Sequence, residues 1–262
     1  MPDWLAILIL GVIEGITEFL PISSTGHLLL AEHWLPRQSD LFNVVIQCCA
    51  VVAVIPLFPD RVRQVLFRWR EPATRDFLGK LALAFVLTGA GGVLLEKGGF
   101  KLPERVFPVA LALLIGGVLF IVVEWRLAGR KTTTEVTWAL AVVVGLGQLI
   151  AAVFPGTSRS GTTILLMLAL GLTRPAATEF SFLVGIPTML AAGALKIAKA
   201  LHAPPAATGS ESWTLLVLGV IVSAVVSFIA VKWLLKFVQT HTFEGFGWYR
   251  VGLGTAMLVF FR

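Results

Sequence analysis

Long apolar segments separated by short polar ones run along almost the whole chain. Six of them approach the roughly 20 residues that a helix needs to cross a bilayer. The predicted spans cover about residues 41–58, 77–96, 105–125, 178–200, 213–236 and 248–261. The pattern therefore predicts an all-α polytopic membrane protein with about six transmembrane helices.

Two further apolar stretches, residues 4–35 and 137–172, are interrupted near their middle. Each contains a proline and a cluster of Ser, Thr and Gly, at 21–26 and 155–163. The apolar halves are about 11–18 residues long, which is short for a full span. Irregular backbone at membrane depth is tolerated where protein or a water-filled cavity surrounds it. We therefore expect two re-entrant helix–loop–helix hairpins.

The two interrupted stretches are related by an offset of 134 residues. The matched pairs are Gly11–Gly145, Glu14–Gln148, Pro21–Pro155, Ser23–Thr157, Ser24–Ser158 and Thr25–Arg159. Three predicted spans follow each hairpin, and because three is odd, the second unit is inverted relative to the first. Inverted repeats with broken helices are typical of transporters, whose site lies near the midplane. We expect one membrane domain over 1–262, with repeats at about 4–125 and 137–261 and both hairpin tips inside the bilayer.

Composition and charge agree with a membrane location. Of 262 residues, 57% are hydrophobic and 14% charged, whereas soluble domains carry about 25% charge. The formal net charge of +6 suits anionic lipid headgroups. It does not indicate nucleic acid, because the basic residues lie in short loops rather than along one helical face. Membrane lipids are therefore the expected partners.

The loop charges predict an orientation. The basic loops at 59–76 and 126–136 are expected in the cytoplasm, and the loop at 201–212, which lacks Lys and Arg, is expected outside. The loop at 96–105 carries three basic residues and fits this assignment less well. Both termini are then expected outside.

The first interruption carries two carboxylates. Glu14 and Glu18 are four residues apart, on one face of a half-helix. Their charges repel strongly in a low dielectric, so a divalent cation, an arginine or protonation of one carboxylate must compensate. The alternative is a structural pair that faces a water-filled cleft. Ionisable residues at membrane depth favour the functional interpretation.

Small hydroxyl residues and a histidine follow the first proline: Ser23, Ser24, Thr25, Gly26 and His27. If a helix begins here, its free N–H groups favour an anion. Ser24 and His27 are one helical turn apart, and a hydroxyl beside an imidazole is the minimum for an activated nucleophile. The alternative is a simple N-cap cluster.

The second interruption resembles an anion-binding cradle built around Arg159. Glycines allow close backbone approach, hydroxyls donate hydrogen bonds, and a guanidinium suits phosphate. The supporting residues are Gly156, Thr157, Ser158, Ser160, Gly161 and Thr163. The alternative partner of Arg159 is Glu14 or Glu18.

Together, residues 14–27 and 155–163 resemble the two signature motifs of the undecaprenyl-diphosphate phosphatase family, the bacitracin-resistance membrane phosphatases. Residues 44–47 and 179–187 add support, and the resemblance runs from about residue 5 to the C-terminus. It implies hydrolysis of a polyprenyl diphosphate lipid in the bacterial plasma membrane, recycling of the lipid carrier for cell-wall synthesis, and dependence on Mg²⁺ or Ca²⁺. It identifies Glu14, Glu18, Ser24, His27 and Arg159 as the catalytic candidates.

The sequence leaves alternatives for the mechanism and for the function. In one mechanism Ser24 attacks the terminal phosphoryl group and His27 transfers the proton. In the other, His27 or Glu18 activates a water molecule. In both, Glu14 and Glu18 hold the cation or orient the nucleophile. The rival function is a transporter of the polyprenyl phosphate carrier, with or without hydrolysis. A homodimer is a further expectation.

Overall fold

The fold is a bundle of helices. A computed structural model describes residues 1–99, 106–202 and 212–260. The helices are α1 (Asp3–Thr17), α2 (Ser24–Ala31), α3 (Asp40–Val54), α4 (Pro59–Phe67), α5 (Pro72–Lys97), α6 (Val106–Leu127), α7 (Trp138–Val153), α8 (Arg159–Ala169), α9 (Arg174–Leu201), α10 (Trp213–Phe237) and α11 (Glu244–Phe260). Within those ranges the only β pairing is an isolated bridge between Thr133 and Leu172. The predicted all-α class is confirmed.

Four of the described helices, α5, α6, α9 and α10, are long and apolar enough to cross a membrane. A fifth candidate is the α3 segment, which continues into α4 with an 86° bend. Helix α11 has 17 residues, slightly fewer than a typical span. Each of the six predicted spans therefore coincides with a helix, and four to five of them meet the requirements for crossing a bilayer.

Helix α10 shows how the sequence divides a span into two faces. Val217, Ile221, Val225 and Ile229 follow one another at intervals of four and are more than half exposed. The opposite face is small and buried: Ser223 donates to the carbonyl of Ile46, and Ser227 to that of Gly15. In a bilayer no hydrophobic effect drives helices together, because the lipid tails are as apolar as the side chains. Small residues favour association there because they let the helices approach closely. The exposed stripe is what a lipid-facing surface requires.

The interrupted stretches form two pairs of short helices. The junctions within these pairs, residues 18–24 and 154–159, are called the first break and the second break. Helix α1 packs against α10 and contacts α2, while α7 packs against α5 and α8. Helices α6 and α11 lie along one another, as do α3 and α9. The largest core cluster joins the first break to α9, where the rings of Phe19 and Phe182 meet edge to face at 5.3 Å.

Two of the predicted loops contain described structure. Segment 59–76 contains α4, and Arg61 in this helix pairs with Glu179 at 2.6 Å. Segment 126–136 contains Thr133, which forms the isolated bridge with Leu172. Most of the predicted loop at 201–212, and part of the loop at 96–105, lie outside the described residues.

Glu124 fastens α6 to the N-terminal ends of α9 and α11. It is buried and accepts bonds from Arg174, at 2.5–3.0 Å, and from the Phe243 N–H at 2.8 Å. A carboxylate that satisfies both a cation and a backbone donor is expensive to lose, because both partners are then left unpaired.

We expect Glu124→Ala to lower the free energy of unfolding by about 2 kcal/mol, less than for a fully buried pair because Arg174 reaches solvent. The thermal unfolding midpoint in detergent should fall by several degrees. Glu135→Ala, at an exposed carboxylate, is the matched control. An unchanged midpoint for Glu124→Ala would contradict this role.

Candidate active site

Both breaks end in the same local structure, a serine at positive φ that begins a helix. Ser23 has φ 73° and its hydroxyl accepts a bond from the Gly26 N–H at 3.2 Å. Ser158 has φ 66° and accepts from the Gly161 N–H at 3.1 Å. Residues other than glycine seldom adopt positive φ, and such strain concentrates at functional sites.

These caps correct the predicted pairing of the repeats. They pair Ser23 with Ser158, an offset of 135, so the predicted pairs Ser23–Thr157, Ser24–Ser158 and Thr25–Arg159 do not match the caps, and Arg159 takes the position of Ser24. The extra residue is Gly156, at φ +94°, where an added Cβ would lie 2.5 Å from the carbonyl oxygen of Val109. Glycine fits there because both the backbone angle and the close approach to α6 disfavour a side chain.

Glu18 lies at the centre of the site. Its Oε2 accepts from the Ser24 hydroxyl at 2.9 Å and from the Gln47 amide at 3.1 Å. Its Oε1 lies 3.6 Å from Nη2 of Arg159. The two breaks therefore meet, and they contribute a hydroxyl, a carboxylate and a guanidinium. Gln47, on α3, belongs to the same cluster.

Arg159 is largely buried, with 14% of its side chain exposed, and has unused donors. Its Nη1 donates weakly to the carbonyl of Ser181, at 3.5 Å, whereas Nε and Nη2 have no hydrogen-bond partner among the described residues. Its guanidinium lies against Gly185, where an added Cβ would collide with Nη1. Buried polar groups are nearly always bonded, so these donors indicate a missing acceptor.

A cavity of 610 Å³ opens beside this cluster. Glu18, Ser23, Ser24, Thr25, Gly156, Ser158 and Arg159 line one end of it. The α5 wall contributes Phe85, Gly89, Gly92 and Val93, and the far end is lined by Glu96, Lys196 and Lys199. A polar end joined to a mostly apolar wall is suited to an amphipathic ligand.

Five of the predicted binding residues do not line this cavity: Gly26, Thr157, Ser160, Gly161 and Thr163. Their polar groups bond to the protein instead. Ser160 donates to the carbonyl of Leu20, and Thr163 shares a 2.6 Å bond with Ser181. They fasten the second break to the first break and to α9.

His27 does not pair with Ser24, so the predicted contact between them is wrong. Its Nδ1 lies 2.7 Å from the carbonyl of Ser23 and its Nε2 lies 2.6 Å from the hydroxyl of Tyr249. The rings of His27 and Tyr249 also stack, with centroids 5.6 Å apart. Ser24 begins α2 and its side chain turns back towards Glu18, whereas His27, one turn later, faces α11.

Glu14 lies one turn before Glu18 and is only 2% exposed. Its Oε2 is buried and has no hydrogen-bond partner in the described part of the chain, and Glu14 does not line the cavity. Within the described residues, no three His, Cys, Asp or Glu side chains form a metal-binding group. Any cation here would rely on two carboxylates together with oxygens from a ligand.

Sequence reasoning missed two sets of charged residues. Arg250, which is fully buried on α11, contacts both breaks. An arginine within an apolar segment is itself a signal of function, but its position in the sixth predicted span gave no indication of its contacts. Lys196 and Lys199, at the far end of the cavity, resemble ordinary basic residues at the end of a span.

Comparison with known proteins identifies similar chains. The family model described as Bacitracin resistance protein BacA matches residues 7–256. A protein of Rhizobium etli named undecaprenyl-diphosphatase is 49% identical over 98% of this chain and 96% of its own length. The protein with the same name from Xanthomonas euvesicatoria is 45% identical over 99% of this chain and 97% of its own.

The geometry around Arg159 predicts the effect of a single methyl group. Gly185→Ala places a Cβ where the guanidinium lies, so we expect it to displace the guanidinium and to weaken binding of inorganic phosphate about tenfold. Calorimetric titration in detergent measures this. Gly252→Ala, whose Cβ meets nothing within 4 Å, should bind as the native protein does. Unchanged affinity for Gly185→Ala would show that Arg159 does not bind the anion.

Proposed function

The chain belongs to the bacitracin resistance protein BacA family, and we propose that it hydrolyses undecaprenyl diphosphate to undecaprenyl phosphate and inorganic phosphate. Its relatives named undecaprenyl-diphosphatase are 44–49% identical over nearly the full chain. It is a multi-pass membrane protein, and we place it in the bacterial plasma membrane, where the reaction recycles the lipid carrier for cell-wall synthesis. The observation that carries the proposal is the Ser24–Glu18–Arg159 cluster at the polar end of the cavity.

The cavity suits the two parts of such a lipid. The diphosphate occupies the polar end, where Arg159 offers Nε and Nη2 to the phosphoryl oxygens. The first two N–H groups of α2 and of α8 precede the N–H groups that bond to the cap serines, and they add donors at the same end. The first isoprene units lie along the α5 wall, beside Phe85 and Val93.

The proton chemistry involves Glu18 rather than His27. Ser24 already donates its hydroxyl proton to Glu18, so Glu18 accepts that proton as the Ser24 oxygen attacks the terminal phosphorus. The bond between this phosphorus and the bridging oxygen breaks, and undecaprenyl phosphate leaves. Water then cleaves the phosphoserine and releases inorganic phosphate. Arg159 stabilises the charge that spreads over the phosphoryl oxygens in both steps.

Attack by water is the second version of this mechanism. Glu18 then removes the proton from water, and Ser24 orients the substrate. In either version His27, held by Ser23 and Tyr249, contributes through the backbone of the first break. A direct role of His27 as the base would require its ring to leave both partners.

The two glutamates fit a divalent cation. Glu14 brings a buried oxygen without a partner and Glu18 brings a second carboxylate, and Mg²⁺ is commonly bound by one or two carboxylates together with substrate phosphates. When bound, Mg²⁺ or Ca²⁺ would offset the negative charge of the diphosphate. Without it, Gln47 and Arg159 are the groups that hold Glu18 in place.

The packing supports an inverted repeat within one domain. We match α1, α3, α5 and α6 of the first repeat with α7, α9, α10 and α11 of the second. The contact of α1 with α10 then corresponds to the contact of α7 with α5. The pairs α3–α9 and α6–α11 each join equivalent helices, so they lie on the pseudo-twofold axis. In this arrangement the two breaks are re-entrant. With the 59–76 and 126–136 segments in the cytoplasm, both termini and the Lys199 end of the cavity face outwards. A homodimer remains a prediction.

The transporter is the less favoured candidate. A carrier needs no hydroxyl bonded to a carboxylate beside a guanidinium, and the relatives are named for hydrolysis. Release of phosphate by purified protein in detergent distinguishes the two functions, since a carrier alone releases none.

Arg159→Lys should reduce kcat/KM about thirtyfold or more, equivalent to more than about 2 kcal/mol, because an ammonium cannot make the planar two-point contact. Steady-state phosphate release measures this, with the thermal midpoint as a check on folding. Arg63→Lys, at an exposed arginine of α4, is the control. Near-native kinetics for Arg159→Lys would remove the argument for two-point binding.

Ser24→Ala should abolish turnover, and acid quenching of the native protein with terminally labelled lipid diphosphate should trap a phosphoserine at Ser24. Thr132→Ala, at an exposed hydroxyl, controls for the loss of a side chain. An inactive Ser24→Ala without a trapped phosphoserine would support attack by water. Undiminished turnover by Ser24→Ala would contradict both versions.

A further inference from the structure

Arg250 carries a buried charge that the proposed reaction does not use. The residue lies on α11, and its whole surface is inaccessible to solvent. Within residues 1–99, 106–202 and 212–260 no carboxylate forms an ion pair with it. A buried cation without a counter-ion is costly, so its retention requires compensating contacts.

Backbone carbonyls provide these contacts, one for each of its five N–H donors. Nε donates to the carbonyl of Leu113 at 3.5 Å, and Nη2 to those of Ala112 at 3.2 Å and Gly156 at 3.3 Å. Nη1 donates to the carbonyls of Pro21 at 3.1 Å and Thr157 at 3.0 Å. A guanidinium has five donors, so Arg250 has none left for a ligand. Arg159 is the opposite case, since its Nε and Nη2 have no hydrogen-bond acceptor among the described residues and Nη2 only approaches Glu18, at 3.6 Å.

These acceptors connect the parts of the site that must stay together. Pro21 belongs to the first break, Gly156 and Thr157 belong to the second, and residues 112–113 belong to α6. Two glycines make room for the guanidinium: a Cβ on Gly116 would collide with Nη2, and a Cβ on Gly161 would lie 2.9 Å from Nη1. One side chain therefore joins both breaks to the same helix.

The direction of these carbonyls determines what faces the cavity. In a trans peptide the C=O of one residue and the N–H of the next point in opposite directions. Since the Thr157 carbonyl points at Arg250, the Ser158 N–H points away from it, and Ser158 lines the cavity. Arg250 thus draws the Thr157 carbonyl away from the cavity and places its own positive charge behind this peptide.

We propose that Arg250 is a positioning residue for the reaction: it holds the two breaks in register and turns the Thr157–Ser158 peptide so that the Ser158 N–H, rather than the Thr157 carbonyl, faces the diphosphate. The inference rests on the proposed function, since the anion it serves is the diphosphate of the lipid. It predicts an effect on anion binding as well as on turnover, although Arg250 touches no substrate.

The test uses three variants of the full-length protein in detergent. Arg250→Lys keeps the charge but offers three donors, and Arg250→Gln removes the charge. Gly116→Ala keeps the arginine and pushes its guanidinium aside. Arg63→Gln and Gly252→Ala are the matched controls, at an exposed arginine and an open glycine. The measurements are calorimetric binding of inorganic diphosphate, KM and kcat for undecaprenyl diphosphate, and the thermal midpoint.

We expect both Arg250 variants to weaken binding of inorganic diphosphate about tenfold or more and to raise KM about fivefold, in addition to lowering kcat. Gly116→Ala should change the same constants in the same direction, and the controls should match the native protein. A merely structural role would reduce the folded fraction and the apparent kcat, with KM and diphosphate affinity unchanged in the folded protein. That result, or native constants in every variant, would overturn the proposal.

The experiment separates this inference from the proposed function. A native protein that binds inorganic diphosphate but releases no phosphate from the lipid would refute the hydrolase, while the binding constants would still decide the role of Arg250. If the Arg250 variants do not fold, Gly116→Ala decides it. A native protein that does not bind inorganic diphosphate would refute the anion site, and the inference with it.

Discussion

The pairing of Arg159 with Glu18 is the interaction on which the rest of the site depends. Both side chains are largely buried, with 14% and 6% of their surfaces exposed, in a protein that is otherwise apolar. Buried charges need partners, and the partner of each lies on the other break. The two interrupted helices must therefore meet, and the cap serines and the glycines of the breaks allow that approach. The proposed reaction uses a junction that the fold requires in any case.

Two arginines at this junction have contrasting environments. Arg250 donates all five of its N–H groups to backbone carbonyls of α6 and of both breaks. Arg159 lies on the cavity side of the same junction with donors unpaired. Electrostatic preorganisation requires hydrogen-bond donors that face the ligand and a rigid structure that holds them in place. Arg159 provides such donors, and the contacts of Arg250 provide the rigid structure. The same residue type thus maintains the site in one position and serves the ligand in the other.

The amino-acid sequence predicts much of the architecture, because hydropathy and proline positions report directly on helices and breaks. It also predicts that the tips of the two hairpins meet, and Glu18 and Arg159 lie together where the two interruptions approach each other. It does not predict the extra residue at Gly156, because that depends on the approach of α6, nor the turn of His27 towards Tyr249, which lies 222 residues away. It does not predict the contacts of Arg250 either, because its partners are backbone carbonyls, which every residue carries and no side-chain pattern identifies.

The central step of the proposed reaction is the transfer of a proton to Glu18 when the terminal phosphoryl group is attacked. The most direct test is phosphate release from undecaprenyl diphosphate by the purified native protein and by Glu18→Gln in detergent. Gln keeps the shape of the side chain and its contact with Ser24 but cannot take up the proton. We expect sustained release by the native protein and almost none by Glu18→Gln. Equal release by both proteins, or none by the native protein, would contradict this role of Glu18.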